Sequence, residues 1–342
     1  MRLSSVQSLK LELSAASILP KAFASAMGLA RVSTRLTARA STAHVRQPST
    51  EVALGITKGK RRGDYVLSAR IQKSRGAAAL AESIRQSSGG ECDIRIIPKV
   101  ESRATPTSAW FRKKQRPLEA GLSCGVLVKG RKFSGTLGFI VEDDDAYYAL
   151  SNNHVLANVN ESEPGDPVAQ PGTRDRKPGE ATLIGVLDRY VPISFKRSNV
   201  VDCAIAEIFP DLDFYAGWTE ALPGYVTGID PITTDDLEKP VVKAGRTTGV
   251  TRGRITAVEV DRLIVDMGNN KEAQFSDQIE IVGDDNQPFS LGGDSGSLIV
   301  DTRGKAVALL FAGGPDLDGI DITFANRIES VLAKLGVSLV LN

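Results

Sequence analysis

Ser295, His154 and Asp202 are the residues of this chain whose types and spacing could do chemistry. Ser295 lies in the run Gly-Asp-Ser-Gly-Ser at 293–297. Glycines there allow a tight turn that exposes the hydroxyl and points backbone N–H groups at a developing oxyanion. A serine becomes a useful nucleophile when a general base takes its proton. The chain has 2 histidines, His44 and His154, and both precede Ser295.

His154 is the better candidate for the general base. It follows an apolar run that predicts a strand, whereas His44 lies in a basic segment without a strand signal. Asp202 opens the apolar run Asp-Cys-Ala-Ile-Ala, where a buried carboxylate is costly without a donor such as an imidazole N–H. The order histidine, aspartate, serine predicts acyl transfer with Ser295 as the nucleophile.

Each of these residues also has an ordinary explanation: an incidental serine in a surface turn, a half-buried histidine, or a strand-edge aspartate that faces water. A different hydrolase pattern, the Gly-x-Ser-x-Gly nucleophile elbow, is excluded. That pattern needs glycine at 297, where this chain has serine, and a histidine after the nucleophile, where it has none. The combination of all three residues favours a catalytic triad.

Composition restricts the class of protein. The 342 residues suffice for one large domain or two, and 42 Lys plus Arg nearly balance 41 Asp plus Glu. This balance does not predict nucleic acid or an anionic membrane as the main partner. Cys92, Cys124 and Cys203 lie far apart without metal-ligand spacing, so we expect reduced thiols, no metal and no other cofactor. No apolar run is long enough to span a membrane, and we expect a soluble protein.

The first 50 residues carry seven basic residues against one acid, Glu12. Such a segment is typical of a disordered basic tail or of an organelle transit peptide. It would also result if the given start codon lay upstream of the true one. Pro20 and Lys21 interrupt the apolar stretch and disfavour a secretory signal. We expect a cytoplasmic protein, with organelle targeting or export as the alternative.

Short strand signals dominate beyond Gly121, separated by Gly, Asp, Asn and Pro without helical stretches between them. The irregular stretch 211–239 divides them into two groups. This pattern predicts a mostly β fold with two six-stranded-type antiparallel barrels, one at about 121–210 and one at about 240–325. A 3.6-residue periodicity predicts a C-terminal helix at 326–336.

The part before residue 121 has a different pattern. Residues 51–100 combine extended runs with an Ala-rich helical stretch, which predicts a small α+β domain. Residues 101–120 are basic and turn-rich, as linkers are. We therefore place the compact catalytic domain at 121–342.

The chain from about 122 to 328 resembles a trypsin-like (chymotrypsin-fold) serine peptidase. The run at 293–297 matches the family's Gly-Asp-Ser-Gly-Gly in four of five positions. Ser-Asn-Asn-His154 takes the place of the family's Thr-Ala-Ala-His, and Asp202-Cys-Ala-Ile resembles its Asp-Ile-Ala-Leu. Gly245-Arg-Thr-Thr-Gly also resembles a hairpin of bacterial members. With Phe133-Ser-Gly-Thr-Leu-Gly138 ahead of the histidine, the pattern over 51–340 is similar to the bacterial and plant narrow-leaf-type trypsin-like proteins.

This resemblance implies roles for the residues. Ser295 would attack the carbonyl of a protein or peptide substrate, His154 would carry the proton, and Asp202 would orient the histidine. The N–H groups of Gly293 and Ser295 would form the oxyanion hole. The strand Phe311-Ala312-Gly313 would bind the substrate backbone.

The chain departs from the family pattern at two positions, Phe311 and Phe289. Phe311 replaces the serine that usually supports the triad aspartate. Phe289 occupies the position at which trypsin carries its pocket aspartate. We therefore expect Phe289 to bind substrate, and we expect the protein to have no preference for Lys or Arg at P1. Asp294 is the residue that pairs with a newly cut N-terminus in mammalian zymogens, yet no activation site is evident in the sequence.

Two other functions remain open at the level of the sequence. The fold could belong to a catalytically latent protein that binds peptide strands along 311–313. The basic segments could bind nucleic acid, which we do not expect because the bulk of the chain is neutral. The α+β domain could act as an inhibitor, a sensor or a docking module.

Overall fold

The computed structural model describes residues 1–18, 52–61, 63–72, 77–97, 110–128, 134–177, 180, 182–219, 222 and 224–341. Within these ranges the chain is mostly β, with 21 strands and four α-helices. No helix among them is long and apolar enough to cross a membrane.

The described chain begins with helix α1 (Leu3–Ile18), strands β1 (Val52–Lys58) and β2 (Tyr65–Ile71), helix α2 (Ala77–Ser87) and strand β3 (Cys92–Ile96). Residues 1–18 therefore differ from the expected disordered tail. Val6 is fully buried in an apolar cluster with β1, β2 and α2, and the Lys10 ammonium lies 2.9 Å from the Asp261 carboxylate. Residues 19–50 lie outside the described part of the chain.

The first barrel contains β4 (Ser123–Val126), β5 (Gly135–Thr136), β6 (Phe139–Glu142), β7 (Tyr147–Ser151), helix α3 (Asn153–Leu156), β8 (Pro167–Ala169), β9 (Leu183–Tyr190) and β10 (Ala204–Ile208). Its strands pair in the order β6-β7-β10-β9-β8-β4-β5. Only Leu137 and Gly138 separate β5 from β6. The Leu137 N–H donates to the Leu122 carbonyl at 2.7 Å and the Gly138 N–H to the Leu150 carbonyl at 2.8 Å, so the ladder almost closes on itself.

A connector with the short strands β11 (Trp218–Thr219) and β12 (Gly224–Tyr225) leads to the second barrel. This barrel contains β13 (Pro240–Gly245), β14 (Gly249–Asp261), β17 (Gln278–Gly283), β18 (Leu298–Asp301), β19 (Ala306–Pro315) and β20 (Asp321–Arg327), with the hairpin β15 (Leu263–Asp266) and β16 (Glu272–Phe275) inserted. The pairing β13–β14 closes the ring β13-β18-β19-β20-β17-β14.

Both barrels follow the same strand order. When β5 and β6 are counted as one interrupted strand, the first strand of each barrel lies between the second and the fourth, and the third pairs with the sixth. The chain ends with helix α4 (Ile328–Leu335) and β21 (Ser338–Leu339), which pairs with β6 of the first barrel. The predicted mostly β double-barrel fold of the chymotrypsin type and its C-terminal helix are confirmed.

The segment 52–97, which we call the extension, differs from the predicted separate α+β domain. Strand β14 is 13 residues long, and β13 pairs only with its first part, up to Arg254. The remaining edge of β14 pairs with β1 instead, with Ile56 opposite Val258. The extension therefore continues the sheet of the second barrel, because an open strand edge leaves backbone groups that another strand can satisfy.

Most of the predicted basic linker lies outside the described residues. In its described part, Leu118 is fully buried and Phe111 is buried in the core of the barrels. The Ser123 N–H donates to the Phe111 carbonyl at 2.8 Å. Residues 110–120 thus belong to the first barrel and not to a solvated linker.

Candidate active site

A cavity of about 520 Å³ collects residues from both barrels. The first barrel contributes His154 and the second contributes the loop around Ser295 and the end of β19. Seven of the residues singled out in the sequence lie at this cavity or next to it. Six of them line it: His154, Gly293, Ser295, Phe311, Ala312 and Gly313. The seventh, Asp202, contacts the His154 ring from behind.

The imidazole of His154 is in direct contact with the carboxylate of Asp202. Its Nδ1 lies 2.5 Å from Oδ2, and the His154 backbone N–H donates to Oδ1 at 3.2 Å. Asp202 is fully buried, while 22 % of the His154 side chain is exposed. Helix α3 follows directly after β7, and Asp202 directly precedes β10, which pairs with β7 through Ala204 and Ser151. The strand pair therefore brings the two side chains together.

Three amides hold the backbone around Asp202 in place. The Asn152 amide donates to the Asp202 carbonyl at 2.7 Å, and the Asp202 N–H donates to the Asn326 side-chain oxygen at 2.9 Å. Asn326 in turn donates to Gln278 at 2.6 Å. The sequence analysis missed these residues. Asn326 and Gln278 could have been recognised in the sequence, because they are polar residues within apolar strands and such residues need buried hydrogen-bond partners.

Ser295 lies on the loop before β18, and 9 % of the residue is exposed. Its hydroxyl donates to the Phe311 carbonyl at 3.4 Å, a long hydrogen bond. The hydroxyl therefore points along the cavity towards β19 in this structure. Catalytic hydrogen bonds are often long or poorly aligned before substrate binds.

Gly293 adopts a positive φ in the turn just before Ser295. Its φ of 102° lies in the region that favours glycine, and a Cβ there would come within 2.3 Å of the Arg246 guanidinium. The Gly293 carbonyl accepts a hydrogen bond from the Thr136 hydroxyl at 2.9 Å. Within the described part of the chain, the N–H groups of Gly293 and Ser295 donate to no protein acceptor. Both are free to bind an oxygen in the cavity.

Asp294 is fixed from inside the second barrel. Its carboxylate accepts the N–H groups of Thr247 at 2.7 Å and of Leu291 at 3.0 Å. The Lys243 ammonium lies 3.4 Å from it, and both side chains are fully buried. Burial lowers the pKa of Lys243 and the Asp294 carboxylate opposes that shift. Asp294 thus has an internal cation as its partner, which the sequence analysis missed although Lys243 interrupts an apolar strand.

Phe289 does not line the cavity, which corrects the prediction that it binds substrate. The residue is fully buried in the core of the second barrel, and the Lys243 ammonium lies 6.0 Å from its ring centroid. A large apolar ring is more stable inside the barrel than in a partly polar cavity. The neighbouring Ser290 lines the cavity instead, and its hydroxyl is 2.7 Å from that of Thr323.

Among the described residues, the end of β19 has no strand partner on the side of the cavity. Strand β18 pairs with β19 only up to Leu309, and the residues beyond it pair with β20 on the other side. Phe311 is buried against Phe275, with ring centroids 4.7 Å apart. A Cβ on Gly313 would come within 2.8 Å of the Ile322 carbonyl, so glycine keeps the two strands close. The predicted stretch 311–313 is therefore placed to accept an added strand.

The three cysteines are all free thiols. Burial raises the pKa of Cys124 to about 12. Burial and the neighbouring Asp202 carboxylate raise the pKa of Cys203 well above its ordinary value. A thiol needs its thiolate form to attack a carbonyl, so these two buried cysteines are poor nucleophiles beside Ser295.

Comparisons with known proteins give one family model and several solved structures. A family model described as the Nal1 C-terminal domain matches residues 229–333, while no curated protein matches the chain. Among solved structures, the chain is similar to Thermobifida fusca Protease A, with 18% identity and a TM-score of 0.46 over 66% of this chain and 98% of that chain.

Two further solved structures give similar values. Cellulomonas bogoriensis chymotrypsin is 17% identical, with a TM-score of 0.45 over 66% of this chain and 98% of that chain. Nocardiopsis protease is 16% identical, with a TM-score of 0.45 over 65% of this chain and 97% of that chain. These structural neighbours are bacterial serine proteases, and the narrow-leaf-type resemblance stays a prediction.

Proposed function

We propose that the protein is a serine endopeptidase that hydrolyses peptide bonds through an acyl-enzyme on Ser295. One observation carries this proposal: a buried carboxylate holds the only described histidine at 2.5 Å, in the same cavity as a serine on a glycine turn. A histidine held in this way presents its other ring nitrogen, Nε2, as a base.

The reaction follows from these groups. The Ser295 hydroxyl turns from the Phe311 carbonyl to Nε2 of His154 and attacks the substrate carbonyl as its proton passes to the imidazole. Asp202 stabilises the cationic ring that results. The proton then passes to the leaving amine as the C–N bond breaks. Water, activated by the same imidazole, releases the acid product and restores the serine.

The free N–H groups of Gly293 and Ser295 would bind the oxyanion of both tetrahedral intermediates. One such donor contributes about 3 to 4 kcal/mol to transition-state stabilisation in comparable sites. Because Lys243 already neutralises Asp294, the turn does not require a newly cut N-terminus to take its shape. We infer that the enzyme is competent without proteolytic activation.

The free edge of β19 would bind the substrate backbone as an added strand. Residue 289 offers no carboxylate to the cavity, because it is a phenylalanine, and its ring is buried in the core. A P1 preference other than Lys or Arg therefore remains part of the proposal. The hydroxyls of Ser290 and Thr323 are paired with each other at 2.7 Å, and Ser290 gives this part of the cavity a neutral polar wall.

Hydrolysis of a peptide library varied at P1 tests this function, with cleavage sites read by mass spectrometry. The wild-type protein should cleave, Ser295→Ala should not, and Ser290→Ala should cleave with at most a changed P1 preference. Cleavage that persists undiminished in Ser295→Ala would refute the proposal.

A latent, peptide-binding protein is the second candidate. The hydrogen bond from the Ser295 hydroxyl to the Phe311 carbonyl favours it, because a serine held there does not face its base. Peptides that bind with measurable affinity, are never cleaved, and compete at the β19 edge would support this function over catalysis.

A further inference from the structure

The extension touches two walls of the cavity at a distance from the reacting residues. The first contact involves the side-chain amide of Gln72, just beyond β2. Its Nε2 donates to the Ile264 carbonyl at 2.8 Å, and its Oε1 accepts the Ile264 N–H at 2.9 Å. The Gln72 side chain thus pairs with both backbone groups of Ile264, as a residue of a neighbouring strand would, and fixes β15. The residues that directly follow Ile264, at 265–268, line the cavity.

The second contact is made by the backbone of β3. The Ile96 carbonyl accepts the Leu317 N–H at 3.0 Å. Leu317 lies in the turn between β19 and β20, and the adjoining ends of both strands line the cavity. The extension therefore holds the turn that follows β19 and its proposed substrate-binding edge.

A third contact fills the space between these two. Ile97 is only 2 % exposed and packs in one apolar cluster with Val265, Phe311 and Ala312. The Ile97 N–H donates to the Ile71 carbonyl at 2.9 Å, which places the side chain. Val265 belongs to the hairpin wall, whereas Phe311 and Ala312 belong to the β19 wall. One side chain of the extension thus belongs to the apolar cluster that joins both walls.

The extension is itself anchored to the second barrel. Arg70 on β2 makes two charge-assisted hydrogen bonds to Glu280 on β17, at 2.6 and 2.8 Å, with both side chains almost fully buried. Its guanidinium also reaches the Asp93 carboxylate at 2.8 Å. Bidentate contacts of this kind fix geometry as well as adding energy. The extension is built as a rigid part of the sheet.

From these contacts we propose that the extension is a substrate-positioning element that sets the spacing between the β15–β16 hairpin and the β19 edge, with Gln72 as its positioning residue. The proposal rests on the proposed peptidase function. The contacts described here reach neither His154 nor Asp202 nor the 293–297 turn. The extension therefore acts on the binding of extended peptides and not on the acyl transfer itself.

Gln72→Ala tests the proposal, with Gln86→Ala as the matched control, because the Gln86 amide bonds only its exposed helical neighbour Glu82. Each protein is assayed on a peptide with about four residues before the scissile bond and on a single-residue ester, with active sites counted by a fluorophosphonate probe. Gln72→Ala should raise KM for the peptide at least about fivefold, the effect of losing one or two hydrogen bonds. Ester turnover and the labelling rate should stay within about twofold.

Gln72→Met provides a second variant of similar length that lacks both hydrogen bonds, and it should reproduce the result if the alanine variant is poorly folded by circular dichroism. Equal losses on peptide and ester, or peptide kinetics equal to wild type, would overturn the positioning role while leaving the peptidase function intact. A wild-type protein that neither labels nor cleaves would refute the peptidase function and the positioning role with it.

Discussion

Asp202 illustrates how much the geometry of this site depends on single residues. Its carboxylate accepts two hydrogen bonds from His154, one from the ring and one from the backbone. Asn326 and Asn152 hold its own backbone. Phe311, which replaces the expected supporting serine, packs on Phe275 instead. The two bonds from His154 thus fix the carboxylate of Asp202, and the two asparagines fix its main chain.

If the proposed peptidase function holds, Asp202→Asn should lower kcat for peptide hydrolysis roughly 10⁴-fold, as loss of the triad aspartate does in a known serine protease. An amide in place of the carboxylate donates to Nδ1 and stabilises the tautomer whose Nε2 carries a proton and cannot act as a base. Steady-state kinetics checks this, with circular dichroism as the control for folding. Activity within about tenfold of wild type would contradict the role of Asp202.

Lys243→Met should destabilise the fold by about 3 to 5 kcal/mol, because it leaves the buried Asp294 without a cation. Denaturant unfolding measures this effect. Lys271→Met is the matched control, since Lys271 and Glu161 form a largely exposed pair at 3.0 Å, and such pairs contribute about 0 to 1 kcal/mol. Equal stabilities of the two variants would show that Lys243 does not hold the oxyanion turn.

Sequence patterns predicted the residues gathered at the cavity better than those that support them. Ser295, His154 and Asp202 were singled out because their types, order and neighbours are restrictive, and the structure brings all three to one cavity. Lys243 and Asn326 were missed because a polar residue in an apolar strand needs some partner, but only the folded chain shows which one. Phe289 was assigned to the pocket from its position relative to Ser295, and its large apolar ring turned into the core instead.

Among the elements, β14 decides how the extension is attached. The strands, both barrels and the C-terminal helix follow from local signals: period-two runs, turn residues and one 3.6-residue pattern. The pairing of β1 with β14 joins segments about 200 residues apart in sequence, and no local pattern specifies such a partner. The extension was therefore predicted as a separate domain although its secondary structure was recognised.

Arg70→Met should cost about 3 to 5 kcal/mol, because Glu280 keeps a buried charge without a partner. Two opposing effects act on the pKa of Arg70. Burial lowers this pKa, and the carboxylates of Glu280 and Asp93 raise it above its ordinary value. The double variant Arg70→Met with Glu280→Leu should recover most of this loss, since an apolar pair of similar volume removes both charges. A double-mutant cycle by urea unfolding measures the coupling, and additive effects would contradict a locked extension.

The whole molecule should lose stability in acid. A hydrogen bond from Arg189 is the main cause that lowers the pKa of Asp143 to about 2. Arg303 and Lys305 lower the pKa of Asp301, against the effect of its burial. Carboxyls with lowered pKa values stabilise the fold above their unfolded pKa of about 3.9 and lose this contribution as the pH falls through the folded value.

The melting temperature should therefore fall between about pH 4 and pH 2, and Asp143→Asn should make that fall less steep. Asp144 lies exposed in the same turn, and Asp144→Asn serves as the control. Differential scanning calorimetry at several pH values gives the slopes. Identical slopes for wild type and Asp143→Asn would contradict the contribution of the Arg189 contact.

Labelling of the full-length protein with a fluorophosphonate, followed by intact mass and peptide mapping, tests the central claim most directly. We predict one adduct on Ser295 in the wild type and in Ser290→Ala, and none in Ser295→Ala. We also predict labelling without prior cleavage of the chain, because Lys243 already holds Asp294. A folded wild-type protein that does not react, or an adduct on another residue, would contradict the assignment of Ser295 as the nucleophile.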